Sequence, residues 1–205
     1  MRFYSHPRSS AAHRVQIALN LKGCAYELVS VRFIDGVLDQ PGYRRLNPQG
    51  FVPALEIDGR VLTQSLAIIE YLDARFPEPK LIPDEPLERA QVQALAQIVA
   101  CDIHPLNNLR VRMHLSRELG LDPAGVDAWC RRWIAEGFES LEARIAGSSD
   151  GRYCFGGRVT LADVCLVPQV RNARAVGLDL APYPTLERIA AHLESLDAFV
   201  RGAPA

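Results

Sequence analysis

The 205-residue chain carries 48% hydrophobic and 23% charged residues and a formal net charge of −1, the balance of a packed globular protein rather than a disordered one. Near-neutrality excludes a global field for nucleic acid or an anionic membrane, so anion recognition has to come from locally placed arginines. No apolar run approaches the roughly 18 residues of a membrane span, and the N-terminal MRFYSHPRSS lacks the apolar core of a secretory signal, which makes a cytoplasmic protein the expectation.

In chain order, Arg2 to Ser5 reads as a short strand. Arg14 to Gly23 has helical character and closes on Lys-Gly, a C-terminal signal. Tyr26 to Val31 reads as a second strand. After a polar segment come two apolar runs, Val52 to Ile57 and Arg60 to Thr63. Asp58-Gly59 between them predicts a hairpin. Ser65 is placed to cap a helix from Leu66 to Arg75, which stops before Pro77. A helix between the first two strands implies a right-handed crossover and a parallel pair, to which the hairpin adds antiparallel strands.

Residues 77–87, with Pro77, Pro79, Pro83 and Pro86, read as a linker. Beyond them the pattern is helical throughout: Leu87 to Val99, Ala124 to Ile145 and Leu186 to Phe199, the last followed by a loose tail. Trp129, Trp133, Phe138 and Leu141 read as the core stripe of the middle segment. Thr160-Leu161-Ala162-Asp163 has the spacing of a reciprocal helix cap, with Val159 and Val164 as its hydrophobic staple. That assigns Asp163 to capping rather than to catalysis. The expected domains are residues 1–81, an α/β unit, and 88–205, an all-α unit.

Cys24, Cys101, Cys130, Cys154 and Cys165 lack C-x-x-C spacing, and their odd number speaks against a disulfide framework or zinc site. The five histidines are not at metal-ligand spacing either. Three features of the α/β unit carry chemistry together. Ser9-Ser10 lies between a strand and the first helix, where a hydroxyl can cap the helix or, with the helix dipole, favour a thiolate. Val52-Pro53 opens a strand at a point where proline forgoes a ladder hydrogen bond. Gln64-Ser65 begins a second helix, where hydroxyl, amide and backbone N–H groups suit a carboxylate. Together they describe an edge prepared for an extended peptide with anionic ends.

The chain resembles a glutathione transferase over its whole length, through Asn47-Pro48-Gln49-Gly50-Phe51-Val52-Pro53-Ala54-Leu55 and Leu62-Thr63-Gln64-Ser65-Leu66-Ala67-Ile68-Ile69-Glu70-Tyr71-Leu72. Ser9-Ser10-Ala11-Ala12-His13-Arg14-Val15-Gln16-Ile17-Ala18-Leu19 is similar to the zeta-class motif. Cys101-Asp102-Ile103-His104-Pro105-Leu106-Asn107-Asn108 and Leu166-Val167-Pro168-Gln169-Val170 resemble that class's maleyl-acid isomerases. The resemblance implies a thioredoxin-like N-terminal domain with a cis Pro53, and an all-α C-terminal domain contributing the acceptor-substrate pocket. It implies glutathione as cofactor, held by Gln49, Val52, Pro53, Gln64, Ser65, Asp102 and His104, with its thiol toward Ser9 and Ser10. It also implies a homodimer that isomerises a maleyl dicarboxylate, maleylpyruvate or maleylacetoacetate.

Arg8, Asn108, Arg110 and Arg174 are the candidate substrate contacts, guanidinium groups matching paired carboxylates. The zeta pattern commonly has cysteine where this chain has Ala11. The family's Arg-Phe after Pro-Gln-Val is also displaced here, to Asn172-Ala173-Arg174-Ala175-Val176. A transferase that conjugates or dehalogenates small electrophiles, and a non-catalytic binding module, are the alternative readings.

Overall fold

The computed structural model describes residues 1–34, 37–38, 42–147 and 151–202. It divides into two compact units, one formed by Met1–Lys80 and the described residues from Leu196 onward, the other by Leu81–Ser195.

The first unit runs β1 (Arg2–Ser5), α1 (Ser10–Leu21), β2 (Glu27–Ser30), β3 (Phe33–Ile34), β4 (Val37–Leu38), α2 (Tyr43–Leu46), β5 (Ala54–Ile57), β6 (Arg60–Thr63) and α3 (Ser65–Arg75). Four strands form one sheet in the order β2-β1-β5-β6. The pair β1–β2 is parallel, as the helical crossover between them requires. The other pairs are antiparallel. Asp58 and Gly59 both have positive φ, 50° and 71°, the backbone of a two-residue primed turn, so the expected hairpin forms. The small antiparallel β3–β4 pair was not anticipated; it falls in the stretch read only as polar.

α1 buries Val15, Ile17, Ala18 and Leu19 completely. It ends as Lys-Gly predicts. Gly23, at φ 62°, donates to Asn20 O, and Cys24 donates to Leu19 O, which satisfies the last carbonyls. Lys22 turns inward there and donates to Asp73 Oδ1 on α3 and to the Pro79 carbonyl, at 2.6 Å each. The lysine side chain is 0% exposed and the aspartate 5%.

The second unit comprises α4 (Pro86–Gln97), a π-helical segment (Ile98–Ile103), α5 (His104–Asn107), α6 (Leu109–Arg117), α7 (Pro123–Ile145), α8 (Leu161–Ala175) and α9 (Pro184–Glu194). The buried stripe of α7 is Val126, Cys130, Ile134, Phe138, Leu141 and Ile145. Trp129 and Trp133 were expected in that stripe but sit half-buried on its flank, edge to face at 5.7 Å. Glu142 of α7 accepts from the Thr185 and Leu186 amides and so caps α9. Thr160 and Asp163 form the expected capping box at the start of α8. The Asp163 carboxylate accepts from the Cys154 and Thr160 amides at 2.7 Å and from the Thr160 hydroxyl at 2.9 Å. Burial pushes its pKa up, and those donors oppose the rise.

The run expected as one helix over Leu186 to Phe199 is two. α9 ends with Ser195 as its C-cap, and α10 (Asp197–Gly202) follows. α10 packs on α1 rather than among the other C-terminal helices. Asn20 donates to Ala198 O at 3.0 Å. A Cβ on Gly202 would stand 3.0 Å from Ile17 Cγ1, so a larger residue there would crowd α1. The expected N-terminal boundary at residue 81 lies one residue past the observed one, whereas the chain end departs from the expectation of a helical unit reaching residue 205. Of the expected loose tail, residues 203–205 lie outside the described residues. Among the described residues, no helix is long and apolar enough to cross a membrane, and no group of three or more His, Cys, Asp or Glu side chains could hold a metal ion.

Removing one partner of a buried ion pair leaves the other charge uncompensated. Asp73→Ala is therefore expected to lower the unfolding free energy by roughly 3–5 kcal/mol. Asp73→Leu combined with Lys22→Met should cost much less, as read from urea unfolding curves.

Candidate functional site

The site builds from two helices that start at the same end of the first unit. Arg14 of α1 donates to the Ser65 hydroxyl at 3.4 Å, and Lys22 of α1 meets Asp73 of α3. Both partners lie eight residues apart on their helices, so α1 and α3 run side by side in parallel. Their N-termini, and the positive ends of their dipoles, face the same way.

Ser9 is the N-cap of α1. Its Oγ accepts from the Ala12 amide at 3.2 Å, and its own amide donates to His6 O at 2.9 Å. A hydroxyl has one proton and two acceptor sites, so this capping role is compatible with donating that proton outward. Ser10 is the first helical residue and is buried. His6 precedes them; its Nδ1 accepts from the Arg8 amide at 3.2 Å. Burial first, then the neighbouring Arg8 charge, pushes its pKa down. The Arg8 side chain is exposed.

The loop before β5 is fixed by its own polar groups. Asn47 Oδ1 accepts from the Gln49 amide, and Gly50 N–H closes the turn onto Asn47 O at 2.9 Å. Gly50 has φ 70°, and a Cβ there would lie 3.0 Å from the Arg44 guanidinium carbon. The Tyr43 hydroxyl and the Asn47 amide both donate to Phe51 O, at 2.7 and 2.8 Å. Burial pushes Tyr43 up to about 12, so it remains a donor at any ordinary pH. This clamp sets the chain ahead of Val52–Pro53, whose peptide bond is cis.

At the start of α3 the sequence reading needs adjustment. Gln64, not Ser65, occupies the N-cap, and no side chain caps the first turn. Ser65 is instead the first helical residue, buried, with the Arg14 guanidinium behind its hydroxyl. Gln64 has φ 68° and ψ 116°, outside the regions favoured for L residues. Such strain collects at functional sites. Its exposed side chain donates from Nε2 to Gln49 Oε1 at 3.1 Å. The structure thus joins Gln49, Gln64 and Ser65 in one patch.

In the second unit, Asp102 is exposed on the π-helical segment and His104 is half-buried one step beyond it. Asn108 caps α6, accepting from the Val111 amide and donating to Pro105 O. Arg110 is exposed in the first turn of α6. Arg174 is engaged: its Nη1 donates to both Glu194 oxygens, at 2.8 and 2.9 Å. Sequence reasoning missed Arg14, Tyr43 and His6. For Arg14 a signal existed: a lone cation between Ala12 and Val15 on the apolar side of α1.

Residues 3–80 match the family model of the glutathione S-transferase N-terminal domain, and residues 123–195 that of the C-terminal domain. A probable maleylacetoacetate isomerase of Vibrio cholerae is 49% identical over 204 residues, spanning 98% of this chain and 94% of the relative. The chain belongs to the glutathione S-transferase family. Among solved structures, a holo maleylpyruvate isomerase described as a bacterial zeta-class glutathione S-transferase superposes with a TM-score of 0.96 at 47% identity, over 100% of this chain and 97% of that one. A maleylacetoacetate isomerase of Methylobacterium extorquens AM1, solved with malonate and glutathione, gives 0.90 at 42% identity, over 100% and 96%.

A Cβ is the source of strain at Gln64, and a branched one worsens it. Gln64→Val is expected to be less stable than Gln64→Gly by about 1–2 kcal/mol. Both variants lose the contact with Gln49, so the difference in their unfolding curves isolates the backbone contribution.

Proposed function

We propose that this protein is a glutathione-dependent cis–trans isomerase that converts a maleyl dicarboxylate, maleylpyruvate or maleylacetoacetate, to its fumaryl isomer. The observation that carries the proposal is the pairing of the Gln49–Gln64–Ser65 patch with Ser9 at the parallel N-termini of α3 and α1. The isomerase names of the relatives above support it. With it go the cytoplasmic setting and the homodimer that the family resemblance implies.

The residues present fit the tripeptide. The uncapped first turn of α3 offers amide hydrogens, the buried Ser65 hydroxyl a polar contact, and Gln64 and Gln49 side-chain amides. That set suits the γ-glutamyl carboxylate and ammonium end of the ligand. Val52 and Pro53 take its central peptide, and Asp102 and His104 add contacts from the helical unit. When bound, glutathione supplies a thiolate that adds to the activated cis double bond and leaves after rotation. Ser9, supported by Ser10, donates a hydrogen bond toward the sulfur, and the α1 dipole favours its anionic form.

Four of the protein's thiols are at least partly buried, and the exposed one, Cys101, lies inside the π-helical segment rather than at a helix N-terminus. Burial pushes Cys24, Cys130 and Cys154 up from the ordinary thiol value, and position 11, next to Ser10, is alanine. For the dicarboxylate, Arg8, Arg110 and Arg174 are the proposed anchors, with Asn108, the N-cap of α6, two residues before Arg110. Arg174 would have to give up its pair with Glu194 to take part.

An ultraviolet assay with each acid should show turnover that needs glutathione while leaving the total free thiol unchanged. Stoichiometric thiol loss would instead identify a conjugating transferase. Ser9→Ala should reduce kcat by about 10²–10³, the cost of one anion-stabilising donor. Full activity in Ser9→Ala with an inactive Ser10→Ala would transfer the role to Ser10.

A further inference from the structure

A glycine in a helix interior is less stable than alanine there, so its presence asks for a reason in packing. Gly137 lies well inside α7, and the reason is visible. A Cβ built on it would fall within the van der Waals envelope of Ile103, against both Cγ1 and Cδ1, with Ile103 Cβ itself at 3.8 Å. Ile103 is the last residue of the π-helical segment and is 1% exposed. As a β-branched residue it is stiff at χ1, so moving Cγ1 aside requires a rotamer change inside a packed interior. α7 packs directly against the π-helical segment. Trp129 fixes the neighbouring contact by donating to Leu106 O at 2.8 Å.

The π-helical geometry is itself a departure that helices make at the cost of regular hydrogen bonding, often at functional sites. Its six residues, Ile98–Ile103, carry Asp102 and lead straight into His104. In this unit the seat on Gly137 is therefore next to the residues that the sequence singled out. We infer that Gly137 is a positioning residue: the space left by its missing side chain seats Ile103, and the seated Ile103 sets the placement of Asp102 and His104. The inference rests on the proposed contact of Asp102 and His104 with glutathione.

The test is a double-mutant cycle on the full-length protein, reading KM for glutathione, kcat and amide hydrogen exchange over residues 98–107. Gly137→Ala should raise KM for glutathione about tenfold with a smaller change in kcat, as expected of a displaced binding group. It should also speed exchange over residues 98–107. In an Ile103→Ala background the same Gly137→Ala change should have no such effect, because the added methyl then meets open space. An equal effect in both backgrounds, or an unchanged KM and exchange in Gly137→Ala, overturns the inference. Should Gly137→Ala fail to fold while the double variant folds, rescue by the truncated isoleucine confirms the seat. If neither folds, Ile103→Leu with Gly137 intact decides: a raised KM upholds the seat, and an unchanged one overturns it. His104→Ala and Asp102→Ala separate this idea from the functional reading. Should both keep a normal KM for glutathione while exchange in Gly137→Ala is faster, the seat stands and the assigned contacts fall.

Discussion

Two buried cations on α1 determine where this molecule can do chemistry. Arg14 meets Ser65, and Lys22 meets Asp73, so one face of α1 is locked to one face of α3 at two points of equal spacing. The lysine is the stringent member. Its side chain has no exposure, and a displacement of α1 along α3 would strand its charge in a low-dielectric interior at a cost of several kcal/mol. The Pro79 carbonyl takes a second Lys22 proton and ties in the chain that leaves the unit. With the helices held in this register, Ser9 and Ser65 lie at the same end of the pair, each at the positive end of a helix dipole. Two parallel dipoles beside a pair of amides make a place suited to a peptide with an anion at its end.

That arrangement explains a division of labour between the protein and its ligand. A protein thiolate needs a nearby positive potential, yet Cys130, Cys154 and Cys165 are buried, exposed Cys101 lies inside the π-helical segment away from a helix N-terminus, and Cys24 follows the C-terminus of α1, the wrong end of the dipole. Where the positive potential does exist, at Ser9 and Ser10, the chain places hydroxyls and then Ala11. The fold therefore stabilises an anion it does not itself provide. The positive φ of Gln64 belongs to the same logic. It bends the chain out of β6 and into α3 without a capping side chain, which leaves the first turn of α3 for an external acceptor and aims the Gln64 amide at Gln49.

Much of the first unit was legible because its signals are local. Lys22-Gly23 stops a helix and Asp58-Gly59 turns a hairpin through backbone φ alone, and the Thr160–Asp163 box needs only two side chains three residues apart. Ser9 as a cap was legible for the same reason. The adjustments came where a distant partner decides. Gln64 rather than Ser65 takes the N-cap because Ser65 points inward to Arg14, across a helix pair that sequence does not reveal. Trp129 and Trp133 looked like core by size, but the four-residue stride through Cys130 and Ile134 puts them on the flank, where Trp129 can reach Leu106 O. The last helix broke at Ser195 because the following turn packs onto α1, a contact spanning nearly the whole chain. The π-helical segment left no signal, since its hydrophobic pattern is that of a long α-helix.

Electrostatic recognition in such a protein rests on how each guanidinium is already committed. Arg174 shares one nitrogen between both oxygens of Glu194, so an incoming carboxylate has to compete with a resident one of equal charge. The exchange gains little, because what the substrate contributes Glu194 forfeits, and Glu194 is then left to find water. Arg8 stands in a different environment. It follows His6, whose ring is kept toward the neutral form by burial and by the Arg8 charge, and whose Nδ1 is occupied by the Arg8 amide. The Nδ1 contact pins the turn that delivers Arg8 and Ser9 one after the other. A carboxylate approaching the Ser9 end of α1 meets the exposed Arg8 guanidinium and the positive end of the helix dipole. On the proposed reading, that combination would favour an acceptor that itself carries negative charge over the neutral electrophiles that the same sulfur could otherwise attack.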